Sequence, residues 1–115
     1  MSKWTIYYNP QCSKCREALS LLQDHKIEPQ IVEYLKAHPT EKDLRDIVGK
    51  LESPVSSLVR TKEAGYQELN FDINSTEEVV KNLAKHPRLI ERPIVIKDDI
   101  AVIGRPVENI KKLLS

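Results

Sequence analysis

The chain has 115 residues, 40% of them hydrophobic and 30% charged, and its 18 Lys and Arg nearly balance 17 Asp and Glu to give a net charge of +1. This length suits one domain spanning residues 1–115, and the balanced charge argues against a nucleic-acid-binding protein, which would carry a basic excess. No apolar run approaches the roughly 20 residues of a membrane-spanning helix, and the first residues lack the features of a secretion signal, so we expect a cytoplasmic protein that contacts neither nucleic acid nor membrane.

The first predicted elements form a βαβ unit. Residues 4–9, WTIYYN, are aromatic and β-branched and end in an Asn-Pro pair, which predicts a strand followed by a turn. From Ser13 to about Asp24 the apolar residues recur at helical spacing, and the segment QIVEYL after Pro29 suits a second strand. Such a crossover is expected to be right-handed, with its two strands parallel.

The middle of the chain, at about residues 39–87, is predicted to be a helical insert. Thr40 with Asp43 resembles a capping box that opens one helix, and Ser75 with Glu78 resembles a second capping box that opens another. Apolar residues follow each box at helical spacing. The insert therefore separates the βαβ unit from the last third of the chain.

The last third of the chain predicts a β-hairpin and a closing helix. In IVIKDDIAVIG two apolar runs flank a polar tip, and Pro106 suits the first turn of the helix that follows. The complete order β-α-β, helices, β-β-α predicts an α/β protein with a four-stranded mixed sheet flanked by helices. This is the thioredoxin-like plan with an insertion.

Two cysteines, Cys12 and Cys15, lie where the first strand gives way to the first helix. Thiols in the cytoplasm are mostly reduced, so the pair points to chemistry or metal binding. Unpaired N–H groups and the helix dipole favour a thiolate at Cys12, and Lys14 and Arg16 add positive charge nearby. Cys15 falls one turn inside the helix on its apolar face and should be less exposed. Cys12 is therefore the candidate nucleophile and Cys15 the candidate resolving thiol.

Other interpretations of the cysteine pair stay open at this point. A zinc site needs about four ligands, and the spacing of His25, His38 and His86 does not join them to the pair, so we expect no metal. Cys15 could instead be an inert core residue beside a single working thiol, or both thiols could be idle.

Two arginines that are distant in the sequence are predicted to meet near Cys12. Arg92 precedes the first hairpin strand and Arg105 follows the second, so closing the hairpin brings both to one end of the sheet. In a thioredoxin-like arrangement that end also carries Cys12, because the first hairpin strand runs antiparallel to the first strand. Guanidinium groups bind tetrahedral oxyanions bidentately, so these residues predict an oxyanion site, the alternative being two ordinary surface arginines. Pro93 is a candidate cis-proline, and Asn9 is a candidate to orient the Cys12 loop.

Four motifs resemble a known family. In order and spacing, IYYNPQCSKCREAL, the SLVR that ends at Arg60, HPRLIERPIVI and IGRP are similar to the bacterial glutaredoxin-coupled arsenate reductases and their relatives. The resemblance covers nearly the whole chain and implies that Cys12 attacks arsenate while Arg60, Arg92 and Arg105 bind this or a similar oxyanion. It also implies that glutathione is a co-substrate, that glutaredoxin reduces the resulting mixed disulfide, and that no metal or bound cofactor takes part. We expect such a protein to be a monomer that serves arsenic detoxification.

Two residues depart from the pattern of the well-studied reductases. Tyr8 stands where those enzymes carry a histidine that is expected to favour the thiolate, and Cys15 replaces a small hydroxyl residue. A C-x-x-C pair is more typical of the branch of transcriptional regulators in the family. The alternative functions are therefore a thiol-disulfide oxidoreductase that uses Cys12 and Cys15, and a redox-sensing regulator that binds RNA polymerase.

Overall fold

The structure, a computed structural model, describes residues 2–114 and contains one four-stranded mixed sheet. Its strands are β1 (Trp4–Tyr7), β2 (Gln30–Val32), β3 (Ile94–Lys97) and β4 (Ile100–Ile103). Across the sheet the order is β2-β1-β3-β4, with β2 parallel to β1 and with β3 antiparallel to both of its neighbours. The predicted thioredoxin-like sheet is confirmed.

The described part of the chain contains five α-helices. They are α1 (Ser13–Asp24), α2 (Glu41–Lys50), α3 (Ala64–Leu69), α4 (Thr76–Lys85) and α5 (Glu108–Leu114). Short 3-10 turns cover Val55–Leu58 and Pro87–Leu89. Between residues 2 and 114 no helix has both the length and the apolar character needed to cross a membrane.

The strands build a separate apolar core on each face of the sheet, because successive side chains of a strand point to opposite faces. On one face Tyr7 and Ile94 pack against the predicted insert, which contributes Leu44 and Leu83 among others. On the other face the strand residues pack against α1 and α5, in a cluster formed by Ile6, Val95, Val102, Ala18, Leu22, Ile110 and Leu113. The insert therefore covers much of one face of the sheet.

Side-chain caps fix where two helices of the insert begin. At α2 the Thr40 hydroxyl accepts the Asp43 N–H at 3.1 Å, and the Asp43 carboxylate accepts the Thr40 N–H at 3.0 Å. This reciprocal pair is the predicted capping box. At α4 the Ser75 hydroxyl accepts the Glu78 N–H at 3.3 Å, which is the forward half of the second predicted box.

The prediction for the start of the last helix was wrong by two residues. Pro106 was expected inside the first turn, but α5 begins at Glu108. The Asn109 side-chain amide donates to the carbonyl oxygens of Ile103 at 3.0 Å and of Arg105 at 3.2 Å. These hydrogen bonds hold the chain between β4 and α5 in a compact turn, so the helix starts only after it.

Candidate active site

Cys12 is the N-cap residue of α1, and a four-residue loop separates it from the carboxyl end of β1. Asn9 shapes the loop before it, because its carbonyl accepts the Cys12 N–H and its side-chain Oδ1 accepts the Gln11 N–H, both at 2.9 Å. The Arg16 guanidinium donates to the Pro10 carbonyl at 2.7 Å. Arg16 therefore braces the loop that precedes Cys12.

The two thiols are free and differ strongly in acidity. Burial raises the pKa of Cys12, but hydrogen bonds from the Cys15 N–H and thiol, the Arg105 guanidinium and the Lys14 N–H outweigh it and lower the pKa from 9.0 to about 7. Burial also raises the pKa of Cys15 to about 12; a backbone hydrogen bond from Asn9 opposes this rise, and the neighbouring Cys12 adds to it. At neutral pH Cys12 is substantially thiolate, whereas Cys15 remains a protonated donor to it.

The hairpin brings Arg92 and Arg105 to the carboxyl end of β1, as the sequence predicts. Ile94 pairs with Tyr7 on one side and with Ile103 on the other. Arg105 Nε donates to the Arg92 carbonyl oxygen at 2.8 Å, and Arg105 Nη2 lies 3.6 Å from the Cys12 sulfur. One arginine thus contacts the thiol directly.

The Arg92 side chain is only 17% exposed. Its Nε is buried, and no hydrogen-bond partner for that atom exists among residues 2–114. The peptide bond between Arg92 and Pro93 is cis, as anticipated for that proline. Most of the Arg92 side chain is therefore buried and fixed, and only the end of its guanidinium group reaches the region beside Cys12.

Arg60 reaches the same region from the insert. An isolated antiparallel bridge joins Val59 to Ile90, and beside it the Arg60 N–H donates to the Leu89 carbonyl at 2.8 Å. The Arg60 guanidinium donates to the Arg88 carbonyl at 3.1 Å and lies 3.2 Å from the Glu63 carboxylate. Strand order alone does not predict this approach, because the bridge lies outside the four-stranded sheet.

All three arginines line one cavity of about 310 Å³. Its walls are formed by Arg60, Thr61, Lys62, Glu63, Glu91, Arg92 and Arg105. Cationic side chains outnumber carboxylates by two in this lining, so the cavity favours anions. Neither cysteine lines this cavity, and Arg105 connects it to Cys12. A larger cavity of about 690 Å³, on the side of Leu35 and Leu69, includes none of the three arginines in its lining.

Two further residues lie at this site although no sequence pattern predicts a role for them. Glu91 Oε1 lies 3.5 Å from Arg92 Nη1 and 3.7 Å from Arg105 Nε. Tyr34 falls in the segment QIVEYL that was expected to be a strand, but it lies two residues beyond the end of β2. It is 1% exposed, and burial raises its pKa to about 12, with further influence from the nearby thiols and from Arg92. The position of Glu91 beside Arg92 in the motif ERP was the only sequence signal for either residue.

Tyr8 and the possible metal ligands were also noted in the sequence. Tyr8 packs against the apolar cluster shared by α1 and α5. In the region from residue 2 to residue 114, no group of three or more His, Cys, Asp or Glu side chains is arranged to hold a metal ion.

Several known proteins with related sequences and structures carry the name arsenate reductase. The profile of the ArsC family matches residues 7–113 of this chain. A protein from Haemophilus influenzae called arsenate reductase is 44% identical over 112 residues, which are 95% of this chain and 97% of that protein. One of the same name from Neisseria meningitidis serogroup A is 39% identical over 117 residues, covering 99% of this chain and all of that protein. The solved structure of arsenate reductase from Vibrio cholerae matches with a TM-score of 0.88 at 39% identity, over 96% of each chain.

Proposed function

We propose, since this chain belongs to the ArsC family, that it is a thiol-dependent arsenate reductase with Cys12 as its nucleophile. The observation that carries the proposal is the Cys12 sulfur at the start of α1, 3.6 Å from the Arg105 guanidinium. The names of the relatives support arsenate as the substrate. We also propose a cytoplasmic location, because the reaction draws on reduced glutathione.

The proposed roles of Arg60, Arg92 and Arg105 follow from electrostatics. Arsenate is anionic at neutral pH and must approach a thiolate, although two like charges 4 Å apart repel by about 4 kcal/mol at a dielectric constant near 20. Guanidinium groups offset this repulsion, and their paired N–H donors fix the orientation of a tetrahedral anion. The cavity that the three arginines share supports this role.

The proposed reaction transfers two electrons from two thiols to arsenic. The Cys12 thiolate attacks As(V), an S–As bond forms, and one arsenate oxygen takes up protons and leaves as water. A glutathione thiolate then attacks the Cys12 sulfur, so that an S–S bond forms, the S–As bond breaks, and its electron pair stays on arsenic, which departs as arsenite. Glutaredoxin, with a further glutathione, reduces the mixed disulfide and restores the Cys12 thiol.

A second route uses Cys15 in place of glutathione. It is favoured by the position of Cys15, one turn along α1 from Cys12, and by the effect of each thiol on the pKa of the other. Attack by Cys15 would release arsenite and leave an internal disulfide for an external reductant, as in a thiol-disulfide oxidoreductase. The raised pKa of Cys15, about 12, opposes this route because little thiolate exists at neutral pH.

Arsenite formation from arsenate, glutathione and glutaredoxin is the decisive measurement. Cys12→Ser should reduce it to the rate without enzyme, whereas Cys15→Ser should retain most of it on the glutathione route. Alanine at any of the three arginines should lower kcat/KM by about tenfold to a hundredfold, since each removes hydrogen bonds to a charged group. A wild-type rate no higher than that of Cys12→Ser would overturn the proposal.

The fate of Cys15 separates the two routes in the same assay. If Cys15→Ser loses activity together with Cys12→Ser, and mild oxidation of the wild type removes both free thiols, the internal disulfide route is correct. If Cys15→Ser retains activity, glutathione is the second thiol that supplies electrons to arsenic.

A further inference from the structure

A carboxylate stands inside the arginine cavity, between two of its guanidinium groups. Glu91 lines the cavity, and its Oε1 is 3.5 Å from Arg92 Nη1 and 3.7 Å from Arg105 Nε. The same oxygen accepts the Arg92 N–H at 3.2 Å. A site built only to attract anions would gain nothing from this negative charge, so its position calls for a chemical reason.

The Glu91 carboxylate is held in place from both sides of the cavity. Its own N–H donates to the Leu58 carbonyl at 2.7 Å, within the bridge that also carries Arg60. Its side chain is 25% exposed, so most of it is withdrawn from water. Within residues 2–114 the hydrogen bonds and ion pairs of this carboxylate all involve Oε1, so Oε2 can accept a hydrogen bond from a bound molecule.

A fixed carboxylate beside cations distinguishes tetrahedral oxyanions that carry an O–H group from those that do not. Arsenate and phosphate keep at least one O–H at neutral pH, and that O–H can donate to a carboxylate oxygen. Sulfate has no O–H at neutral pH, so an oxygen of sulfate that faced Glu91 would meet a second negative acceptor with no proton between them. Specificity built in this way comes from repulsion of the wrong ligand as well as attraction of the right one.

We propose that Glu91 is a specificity-determining residue, which makes the arginine cavity select oxyanions that retain an O–H group and reject sulfate. The inference rests on the proposed function for the presence of an oxyanion in this cavity. It extends that function by stating which oxyanions bind in the cavity. Phosphate should compete with arsenate for this cavity, and sulfate should compete only weakly.

Protection of Cys12 from alkylation tests the inference without any reductase reaction. Iodoacetamide modifies the thiolate at neutral pH, and an oxyanion in the adjacent cavity should slow that modification. In the wild type, phosphate and arsenate should give half-protection at concentrations at least about tenfold lower than sulfate, at ionic strength matched with chloride. In Glu91→Gln, which keeps the shape and removes the charge, sulfate should protect nearly as well as phosphate.

Two further variants act as controls. Glu63→Gln removes a carboxylate from the same cavity wall beside Arg60, and it should shift protection by all three anions in parallel and keep their ratio. Glu91→Asp keeps the negative charge, and it should still exclude sulfate even if the neutral variant is poorly folded.

The outcomes separate this inference from the proposed function. An unchanged ratio of phosphate to sulfate protection in Glu91→Gln, or an equal loss of the ratio in Glu63→Gln, overturns the role of Glu91 alone. Failure of every oxyanion to protect wild-type Cys12 overturns the oxyanion site itself, and the role of Glu91 with it.

Discussion

At the scale of single residues, four groups lower the pKa of Cys12. Two are backbone N–H groups, of Cys15 and Lys14, one is the Cys15 thiol and one is the Arg105 guanidinium. The backbone donors follow from the helix start and resist substitution, but the side-chain donors can be removed separately. The acidity of Cys12 is therefore open to test one contact at a time.

Cys15→Ala should raise the pKa of Cys12, because it deletes the thiol donor that lowers this pKa. Cys15→Ser keeps a donor at the same position and should change the pKa less. The measurement is the rate of Cys12 alkylation against pH, which should reach half its maximum near pH 7 in the wild type. At about pH 6 the alanine variant should react severalfold more slowly than the wild type. Equal profiles for the alanine variant and the wild type would mean that the Cys15 thiol does not tune Cys12.

The sequence predicts the positions of those site residues that lie at the ends of regular strands and helices. Arg92 and Arg105 flank a hairpin, so strand pairing alone brings them together, and the position of Cys12 follows from a strand and a helix. Arg60 was named only through the family resemblance, because it depends on a bridge outside the sheet. Glu91 and Tyr34 were not selected, since their placement depends on side-chain packing that no local pattern encodes.

At the scale of elements, one close approach joins the hairpin to the last helix. Gly104, just after β4, donates its N–H to the Pro93 carbonyl at 2.8 Å. A Cβ atom on Gly104 would lie 2.9 Å from Ile110 Cδ1 and 3.0 Å from Pro93 Cγ. The absence of a side chain at this position therefore lets the segments that carry Arg92 and Arg105 lie side by side.

Gly104→Ala should lower the free energy of unfolding by about 1–3 kcal/mol, because the added methyl group overpacks a filled contact. Gly49→Ala is the matched control, since Gly49 is exposed on α2 with no atom within 4 Å of the new methyl group. The control should instead add about 0.5–1 kcal/mol through helix propensity. Urea unfolding under reducing conditions measures the free energy of unfolding of both variants. Equal effects of the two substitutions would contradict the close packing at Gly104.

Elements with strong local signals were predicted well, and those without such signals were not. The reciprocal cap at Thr40 and the apolar periodicity of α1 identify their helices before any tertiary contact is known. Helix α3 was not predicted, because it has no side-chain cap and none of its residues is buried. The start of α5 was placed too early at Pro106, because a proline suits a first helical turn and a preceding turn equally well.

At the scale of the whole molecule, the two thiols make stability depend on pH in opposite directions. The folded pKa of Cys12, about 7, lies below the ordinary 9.0, so its contribution is fully present above pH 9 and is lost as pH falls through 7. The folded pKa of Cys15, about 12, lies above the ordinary 9.0, so its contribution is complete below pH 9 and is lost as pH rises toward 12. The combined contribution is greatest near pH 9.

Between pH 7 and pH 9 the wild type should therefore gain stability, on the order of 2 kcal/mol, relative to Cys12→Ser. The measurement is the difference in unfolding free energy between the two proteins at several pH values with a reductant present. Cys15→Ser should keep this gain and should lose less stability than the wild type above pH 9. A constant difference between wild type and Cys12→Ser across this range would contradict the lowered pKa.

The bridge between Val59 and Ile90 limits how much of the chain can be deleted without loss of the site. The thiol, Arg92 and Arg105 are all encoded outside residues 39–87, so a shortened protein with a simple loop in place of the insert would keep them. It would lose Arg60 and, at the same time, expose the sheet face that carries Tyr7 and Ile94. One segment thus supplies both a wall of the cavity and the cover of a core, and an engineer cannot remove either property without the other.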